Sequence, residues 1–232
     1  MDITTPGSVE IERLSQEIPF FRGFDLDLLQ RTIRHISTRQ HPANQVILLE
    51  HDWGGSVYFI MGGWIKIRTH NLDGKEVTLN IIGKGEIIGE MAAIEEAPRS
   101  TDAITLTMAE VCSIPAAEFY GLLQTYPLAG IRLAQLIAKR LRQLNRRLRL
   151  REAESLTRVA DTLLFLAEGQ GRNTDQGIAI PNLPHRELSS ISGLARETVT
   201  RALTKLEKRG LIQRDLDTLN IPDLDALEDM VS

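Results

Sequence analysis

Arg196, Glu197 and Arg201 have the most evident chemical use in this chain. On a helix at about 100° per residue they fall, with Thr200, within an arc of roughly 140°. Val199, Ala202, Leu203 and Leu206 fall on the opposite arc and form an apolar seam. Two guanidinium forks and a carboxylate on one face suit the base edges of a DNA major groove. Arg pairs bidentately with guanine, and Glu accepts from the cytosine amino group. A solvated charged face on an ordinary helical hairpin is the other reading of the same pattern. Just upstream, 185–191 is a short amphipathic stretch with Leu188 and Ile191 facing inward. Gly193 then permits a left-handed turn. Helix, glycine turn and second helix is the helix-turn-helix pattern.

A second group lies at Gly83-Lys84-Gly85, Gly89-Glu90-Met91-Ala92 and Pro98-Arg99-Ser100-Thr101. Its glycines let backbone approach a ligand, and a short helix is expected from Glu90 to Glu95. Free amides at a helix start favour a phosphate. Arg99 supplies charge and Ser100 a hydroxyl. A carboxylate at Glu90 repels phosphate unless it holds a different part of the ligand, such as a ribose hydroxyl. An Arg–Glu pair that only satisfies itself is the alternative.

The composition bounds what these groups can serve. The 232 residues are 42% hydrophobic and 25% charged with a net charge of −4, so any nucleic-acid affinity must be local. It is local: residues 185–214 hold seven Lys/Arg against three Glu, and residues 215–232 hold six acids and no base. The single cysteine, Cys112, excludes an internal disulfide framework and sits in a strand pattern, which points to a buried structural thiol. The five histidines (His35, His41, His51, His70, His185) form no ligand cluster, so no metal site is expected. No nucleophile–base pair or Walker-type loop is present, so no catalytic residue is assigned and an enzyme is not expected. No apolar run approaches a membrane span and no signal peptide opens the chain, which places it in the cytoplasm with no membrane partner. Met1–Ser8 reads as a loose terminus.

Four stretches must position the chemistry. Residues 11–37 carry helical periodicity broken by Pro19 and Gly23. Residues 46–114 read as short strands at Val46–Leu49, Val57–Ile60, Trp64–Arg68, Val77–Ile82, Ala103–Leu106 and Glu110–Ile114. Glycine punctuation between them suits a rolled antiparallel sheet, with a hairpin tip at Asn71–Lys75. A long helix follows over Pro127–Arg151. Ala134, Ile137, Leu141, Leu144 and Leu148 alternate steps of three and four, the seam of a two-stranded coiled coil, flanked by bases. A long amphipathic helix packed on its own domain is the alternative. Ser155 is expected to cap the next helix, Leu156–Ala167.

The motifs then become familiar. Phe20-Phe21-Arg22-Gly23 with Leu28-Leu29, Glu50-His51-Asp52, Ser56-Val57-Tyr58-Phe59-Ile60, Asp73-Gly74-Lys75-Glu76, Gly89-Glu90-Met91-Ala92 and Pro98-Arg99-Ser100-Thr101 resemble a cyclic-nucleotide-binding β-roll. Gly193 through Arg201, Leu206 and Gly210-Leu211-Ile212 resemble the DNA-binding half of the CRP/FNR family of bacterial transcription regulators. The resemblance runs from about Leu14 to Glu228.

It implies an α+β chain. Residues 1–126 would be a cyclic-nucleotide-binding β-roll sensor, 127–154 a long dimerisation helix and hinge, and 155–232 a winged helix-turn-helix DNA-binding domain. It implies a homodimer on double-stranded DNA with a near-palindromic operator, controlled allosterically by cAMP or a related cyclic nucleotide. Glu90 would hold the ribose 2′-hydroxyl and Arg99 the cyclic phosphate. Ser100 and amides near Ser100 and Thr101 would complete the cradle, with Gly89, Met91 and Ala92 lining it. One cAMP-binding member of the family carries a Thr-Ser pair on the long helix to meet the base. This chain has Leu144-Asn145 there, and Asn145 offers a donor and an acceptor to a purine edge. On the DNA side, Arg196, Glu197 and Arg201 would read a half-site resembling GTGA. Thr198, Arg186 and Lys205 would meet phosphates. Ala195 stands where the recognition helix is usually capped by Ser or Thr, which removes a bond worth about 1 kcal/mol. Ile212–Arg214 and Thr218–Ile221 would form the wing, with a final acidic helix after Pro222. Gly171–Gly177 reads as a polar loop whose counterpart in activators touches RNA polymerase. Two alternatives remain open. One is the same fold with another or no ligand (cGMP, haem). The other is a nucleotide-signalling module acting on a partner protein.

Overall fold

The computed structural model describes residues 6–231. Among them the chain is α+β, in two compact units that divide between Ala138 and Lys139, inside one long helix.

The first unit opens with α1 (Pro6–Glu17), a 3-10 turn (Pro19–Phe21) and α2 (Leu26–Thr32). Pro19 and the left-handed Gly23, at φ 82°, interrupt the helical periodicity where expected. Pro6–Ser8 open α1 and so are not a loose terminus; residues 1–5 lie outside the described residues. Asp25 caps α2 by accepting from the Leu28 amide at 3.0 Å.

Eight strands follow: β1 (Ser37–His41), β2 (Val46–Leu48), β3 (Ser56–Gly62), β4 (Ile65–His70), β5 (Glu76–Ile82), β6 (Ile87–Ile88), β7 (Asp102–Thr105) and β8 (Ala109–Pro115). They pair antiparallel in two four-stranded sheets, ordered β1-β8-β3-β6 and β2-β7-β4-β5. Strand β3 shows how the sequence builds a two-sided layer, because successive side chains point to opposite faces. Val57, Phe59 and Met61 pack with Leu14, Phe21, Leu29 and Phe119, a core shared with the helices. Ile60 and Tyr58 join Leu48, Ile65, Ile82, Ile88 and Ala103 from both sheets, a core inside the roll. The expected tip at Asn71–Lys75 is present. The Asn71 side-chain oxygen accepts from the amides of Asp73 and Lys75 at 3.0 and 2.9 Å. Cys112 is buried among apolar neighbours, and burial pushes its thiol up to about 11.

Between β6 and β7 lies α3 (Glu90–Glu95), and after β8 come α4 (Ala116–Thr125) and α5 (Pro127–Arg149). Helix α5 carries two apolar stripes. Ala129, Leu133 and Leu136 join the roll's helical core. Ala134, Ile137, Leu141, Leu144 and Leu148 are all exposed.

The second unit takes the last turns of α5, a 3-10 turn (Leu150–Glu152) and α6 (Ser155–Gln170). Ser155 is the first helical residue, not the cap. Glu154 holds the cap position without a side-chain hydrogen bond, so the helix start owes nothing to the Ser155 hydroxyl. The polar segment from Gly171 to Gly177 is not a loop but a hairpin: β9 (Arg172–Thr174) pairs with β10 (Gly177–Pro181). Its main chain finds partners in the ladder, which its polar side chains did not announce. Then come α7 (His185–Ser192), α8 (Arg196–Lys208), β11 (Gln213–Arg214), β12 (Thr218–Ile221) and α9 (Leu224–Glu228). The wing is therefore one hairpin of a four-stranded antiparallel sheet ordered β11-β12-β10-β9. No described helix is long and apolar enough to cross a membrane.

Candidate functional site

The phosphate-type motif folds around a buried arginine. Gly89 ends β6 at φ 80° and caps α3, a left-handed conformation that favours glycine. Glu90 at the first position of α3 is 3% exposed, and Arg99 is 4% exposed. One Arg99 terminal nitrogen donates to the Gly89 carbonyl at 2.7 Å and the other to the Ser56 carbonyl at 2.6 Å. The Arg99 side-chain Nε is buried without a hydrogen bond. Its guanidinium also stands 5.9 Å from the centre of the Tyr58 ring. Burial pulls the Arg99 pKa down, and Tyr58 and Glu90 oppose that pull.

Glycines stand on both sides of this guanidinium. A Cβ on Gly54 would lie 2.1 Å from one terminal nitrogen, and a Cβ on Gly89 would lie 2.4 Å from the other. The main chain of Arg99 is tied as well: its amide donates to the Asp52 carbonyl at 2.9 Å, and the His51 amide donates to its carbonyl at 2.8 Å. A cationic side chain with an unused donor, walled by glycines and beside a buried carboxylate, is chemistry suited to a phosphate ester of a sugar.

The structure thus brings together Gly89, Glu90 and Arg99. Ala92 is buried on α3, whereas Met91 and Ser100 are exposed and Thr101 is half-buried. Asn145 is exposed on α5 and belongs to the second unit. Sequence reasoning passed over Gly54, Ser56 and Tyr58 as parts of this site. They lie about forty residues before Arg99, and only the pairing of β3 places them beside it. Tyr58 also lines a cavity of about 270 Å³ with Arg39, His41 and Ser113; none of the predicted ligand residues lines it.

The second constellation is α8. Val199, Ala202, Leu203 and Leu206 are buried, and Arg196, Glu197, Thr200, Arg201 and Lys205 are exposed, so the two arcs face as the sequence predicts. Gly193 closes α7 at φ 64° and redirects the chain into α8. Ala195 holds the cap position without a side-chain bond. Arg201 donates to the Thr198 hydroxyl at 3.4 Å. Arg186 lies with its side chain 77% exposed and paired to Glu187 at 3.1 Å.

Thr200 is already engaged. Its hydroxyl donates to the Arg196 carbonyl at 3.0 Å and lies 2.8 Å from His185 Nδ1. With its proton committed, the hydroxyl must accept from the imidazole, which assigns the Nδ1–H tautomer. Nε2 is then the acceptor facing an Arg214 terminal nitrogen at 3.4 Å. Arg214 also pairs with Glu207 at 2.6 Å. Burial and the charges of Arg214 and Arg196 hold the His185 pKa below its usual range, consistent with a neutral ring. His185 and Arg214 therefore tie α7 and the wing to α8, a role no local pattern announced. Among the described residues no group of His, Cys, Asp and Glu is placed to hold a metal ion.

Comparison with known proteins finds a family match in each half of the chain. Residues 38–126 match the cyclic nucleotide-binding domain family, and residues 157–230 match the Crp-like helix-turn-helix domain family. The chain is 29% identical over 214 residues to the cyclic AMP receptor protein of Thermus thermophilus, covering 91% of this chain and 96% of that one. It is 27% identical over 209 residues to the CRP-like cAMP-activated global transcriptional regulator of Mycobacterium tuberculosis, covering 89% and 93% of the two chains. Its fold is similar to the c-di-GMP responsive global regulator CLP of Xanthomonas campestris, with a TM-score of 0.66 and 25% identity over 86% of this chain and all of that one. With both domain families in one chain, and with these relatives, the chain belongs to the CRP/FNR family of transcription regulators.

Proposed function

We propose that this regulator is a homodimer that works in the cytoplasm and binds a near-palindromic operator under the control of a cyclic nucleotide, cAMP in the first instance. The observation that carries the ligand reading is Arg99: buried, with Nε unsatisfied, held between Gly54 and Gly89 next to the buried Glu90. The phosphate would draw on the Arg99 charge and on Ser100 and the amides near Thr101. Glu90 would accept from the ribose hydroxyl, and Gly89, Met91 and Ala92 would line the ligand. Asn145 would meet the base. The names of the Thermus and Mycobacterium relatives support cAMP over other nucleotides.

The dimer reading rests on the exposed stripe of α5. Five apolar residues at coiled-coil spacing stay uncovered, with Leu141, Leu144 and Leu148 more than half exposed at 55%, 53% and 59%. A second copy of the helix would bury them as a and d positions. Two recognition helices would then enter successive major grooves about 34 Å apart. Arg196, Glu197 and Arg201 would read bases, and Thr198, Arg186 and Lys205 would meet the backbone, while the Thr200 hydroxyl stays engaged with Arg196 and His185. The β9–β10 hairpin is the surface offered to RNA polymerase. Ligand can shift this equilibrium only as far as it binds the DNA-competent state more tightly.

Calorimetric titration of cAMP and cGMP into the wild type and Arg99→Leu tests the ligand site. Binding of cAMP by the wild type, lost in the variant while sedimentation shows an unchanged dimer, is expected. Equal affinity in both proteins would remove Arg99 from the site.

A further inference from the structure

The segment from Arg99 to Asp102 joins the buried arginine to β7, and it is held at both ends. At the Arg99 end the main chain holds it. The Arg99 amide donates to the Asp52 carbonyl at 2.9 Å, and the His51 amide donates to the Arg99 carbonyl at 2.8 Å. His51 makes that bond from φ 69°, a left-handed conformation unusual for a residue with a side chain. Backbone strain of this kind collects at ligand sites. At the other end a side chain takes over. Asp102 opens β7 and is 4% exposed. One of its carboxylate oxygens accepts from the Glu50 amide at 2.8 Å, and the other accepts from Arg68 Nε at 3.0 Å. Two successive amides, of Glu50 and His51, thus bind the two ends of one short segment.

Ser100 and Thr101 lie between these anchors, and among the described residues neither of their amides has a hydrogen-bond partner. Adjacent unpaired amides on a fixed stretch of main chain suit an anion. Asp102 is in turn locked in place. Arg68 stands opposite it on β4 and also pairs with Glu76 of β5, and Glu76 accepts from Lys66 Nζ at 2.7 Å. The row Asp102, Arg68, Glu76, Lys66 alternates in sign and crosses three strands of one sheet. A buried carboxylate stripped of its guanidinium is strongly unfavourable, so Asp102 and Arg68 hold each other. Only a carboxylate serves here without conflict, because it accepts at both oxygens. A carboxamide would turn a donor against either Arg68 or the Glu50 amide.

We propose that Asp102 is the positioning residue of the phosphate cradle: it fixes the far end of the Arg99–Asp102 segment so that the Ser100 and Thr101 amides are set for the ligand before it arrives. Asp102 itself touches no ligand. It acts through the main chain that precedes it, with Arg68 holding its carboxylate and the Glu50 amide tying it to the turn at His51. This rests on the nucleotide reading above, but the anchor can be tested apart from it.

Calorimetric titration with cAMP and amide hydrogen exchange are compared in the full-length wild type, Asp102→Ala and Glu76→Gln. The Glu76 change cuts the far end of the charged row and leaves the anchor in place, so it separates loss of roll stability from loss of position. Asp102→Ala should bind cAMP at least tenfold more weakly, whereas Glu76→Gln should stay within about threefold of the wild type even where its melting temperature falls. Wild-type affinity in folded Asp102→Ala would overturn the proposal, and so would an equal loss in Glu76→Gln. Should Asp102→Ala fail to fold, Asp102→Asn takes its place, since it keeps the volume and an acceptor for the Glu50 amide but loses the Arg68 pair. A loss of at least threefold is expected there, and no loss would overturn the proposal. Exchange over residues 49–52 of the free protein should accelerate at least tenfold in the Asp102 variant and not in Glu76→Gln; unchanged exchange would remove the anchor. A wild type that binds no cAMP would sink the nucleotide reading, and the anchor would then stand or fall on the exchange data.

Discussion

Arg99 and Arg201 carry the same group to different ends. Arg99 is enclosed, its guanidinium held by the carbonyls of Gly89 and Ser56. Arg201 is exposed on α8 and touches only a neighbouring hydroxyl, at 3.4 Å, among the contacts described for it. An exposed fork on a recognition helix is free to take a guanine edge. Arg201→Ala should therefore relax discrimination at one base pair per half-site by about 1–3 kcal/mol. Anisotropy titrations against single-base operator variants check this; a uniform loss on every duplex would make Arg201 a phosphate contact. At this scale the sequence was legible where residue type and spacing coincide, as at Glu90 and Arg99. It was silent on Gly54 and Tyr58, because a glycine before a strand and a tyrosine within one have many commoner uses. The close approach of Gly54 to Arg99, with no room for a Cβ, exists only once β3 is paired.

At the scale of elements, the winged helix is joined through His185. The ring donates to Thr200 of α8 and accepts from Arg214 of β11, which in turn grips Glu207 of α8. Protonation would put a donor against the Arg214 guanidinium, and burial further disfavours the charge. The folded pKa is below the ordinary value of 6.5, so unfolded chains bind this proton first. The stability of the domain should be full above pH 6.5 and fall as pH drops from there through the folded pKa. Thermal melts from pH 7.5 to 5.5 should show a smaller loss for His185→Gln than for the wild type; equal slopes would mean that His185 is not the titrating group. In the roll, Glu76 acts on the acid side. Burial would raise its pKa, but Lys66 at 2.7 Å and Arg68 hold it below the usual range. Stability from Glu76 is present above its unfolded pKa and is lost as pH falls through the folded one. Between pH 5 and 3 the wild-type roll should therefore lose more melting temperature than Glu76→Gln. Elements with a strong period or a turn signature were readable: β3, the Asn71–Lys75 tip and α8. Strand β1 was not, since Ser37–His41 is polar and takes its order from its partner β8. The β9–β10 hairpin was missed for the same reason.

At the scale of the molecule, the proposed switch needs a second copy and a joint. The exposed stripe of α5 predicts the second copy. Leu141→Glu would place a carboxylate in the seam and forfeit roughly 1.5–3 kcal/mol per buried leucine. Sedimentation velocity should show dimer association weakened by at least about tenfold, with the far-UV spectrum unchanged; an intact dimer would move the interface elsewhere. With a net charge of −4, DNA binding through the basic stretch around α8 should be local and salt-dependent. By itself the sequence determined the order of the domains, the faces of α8 and the acidic–basic pair at Glu90 and Arg99. Those rest on local periodicity and on residue chemistry, which need no distant neighbour. Tertiary structure alone decided that Arg99 is sealed between two glycines, that Thr200 is held by His185, and that Asp102 is paired with Arg68 and the Glu50 amide. Each of these joins residues far apart in the chain. Whether a charge is buried or exposed, paired or free, is a property of the packing around it and is written in no short stretch of sequence.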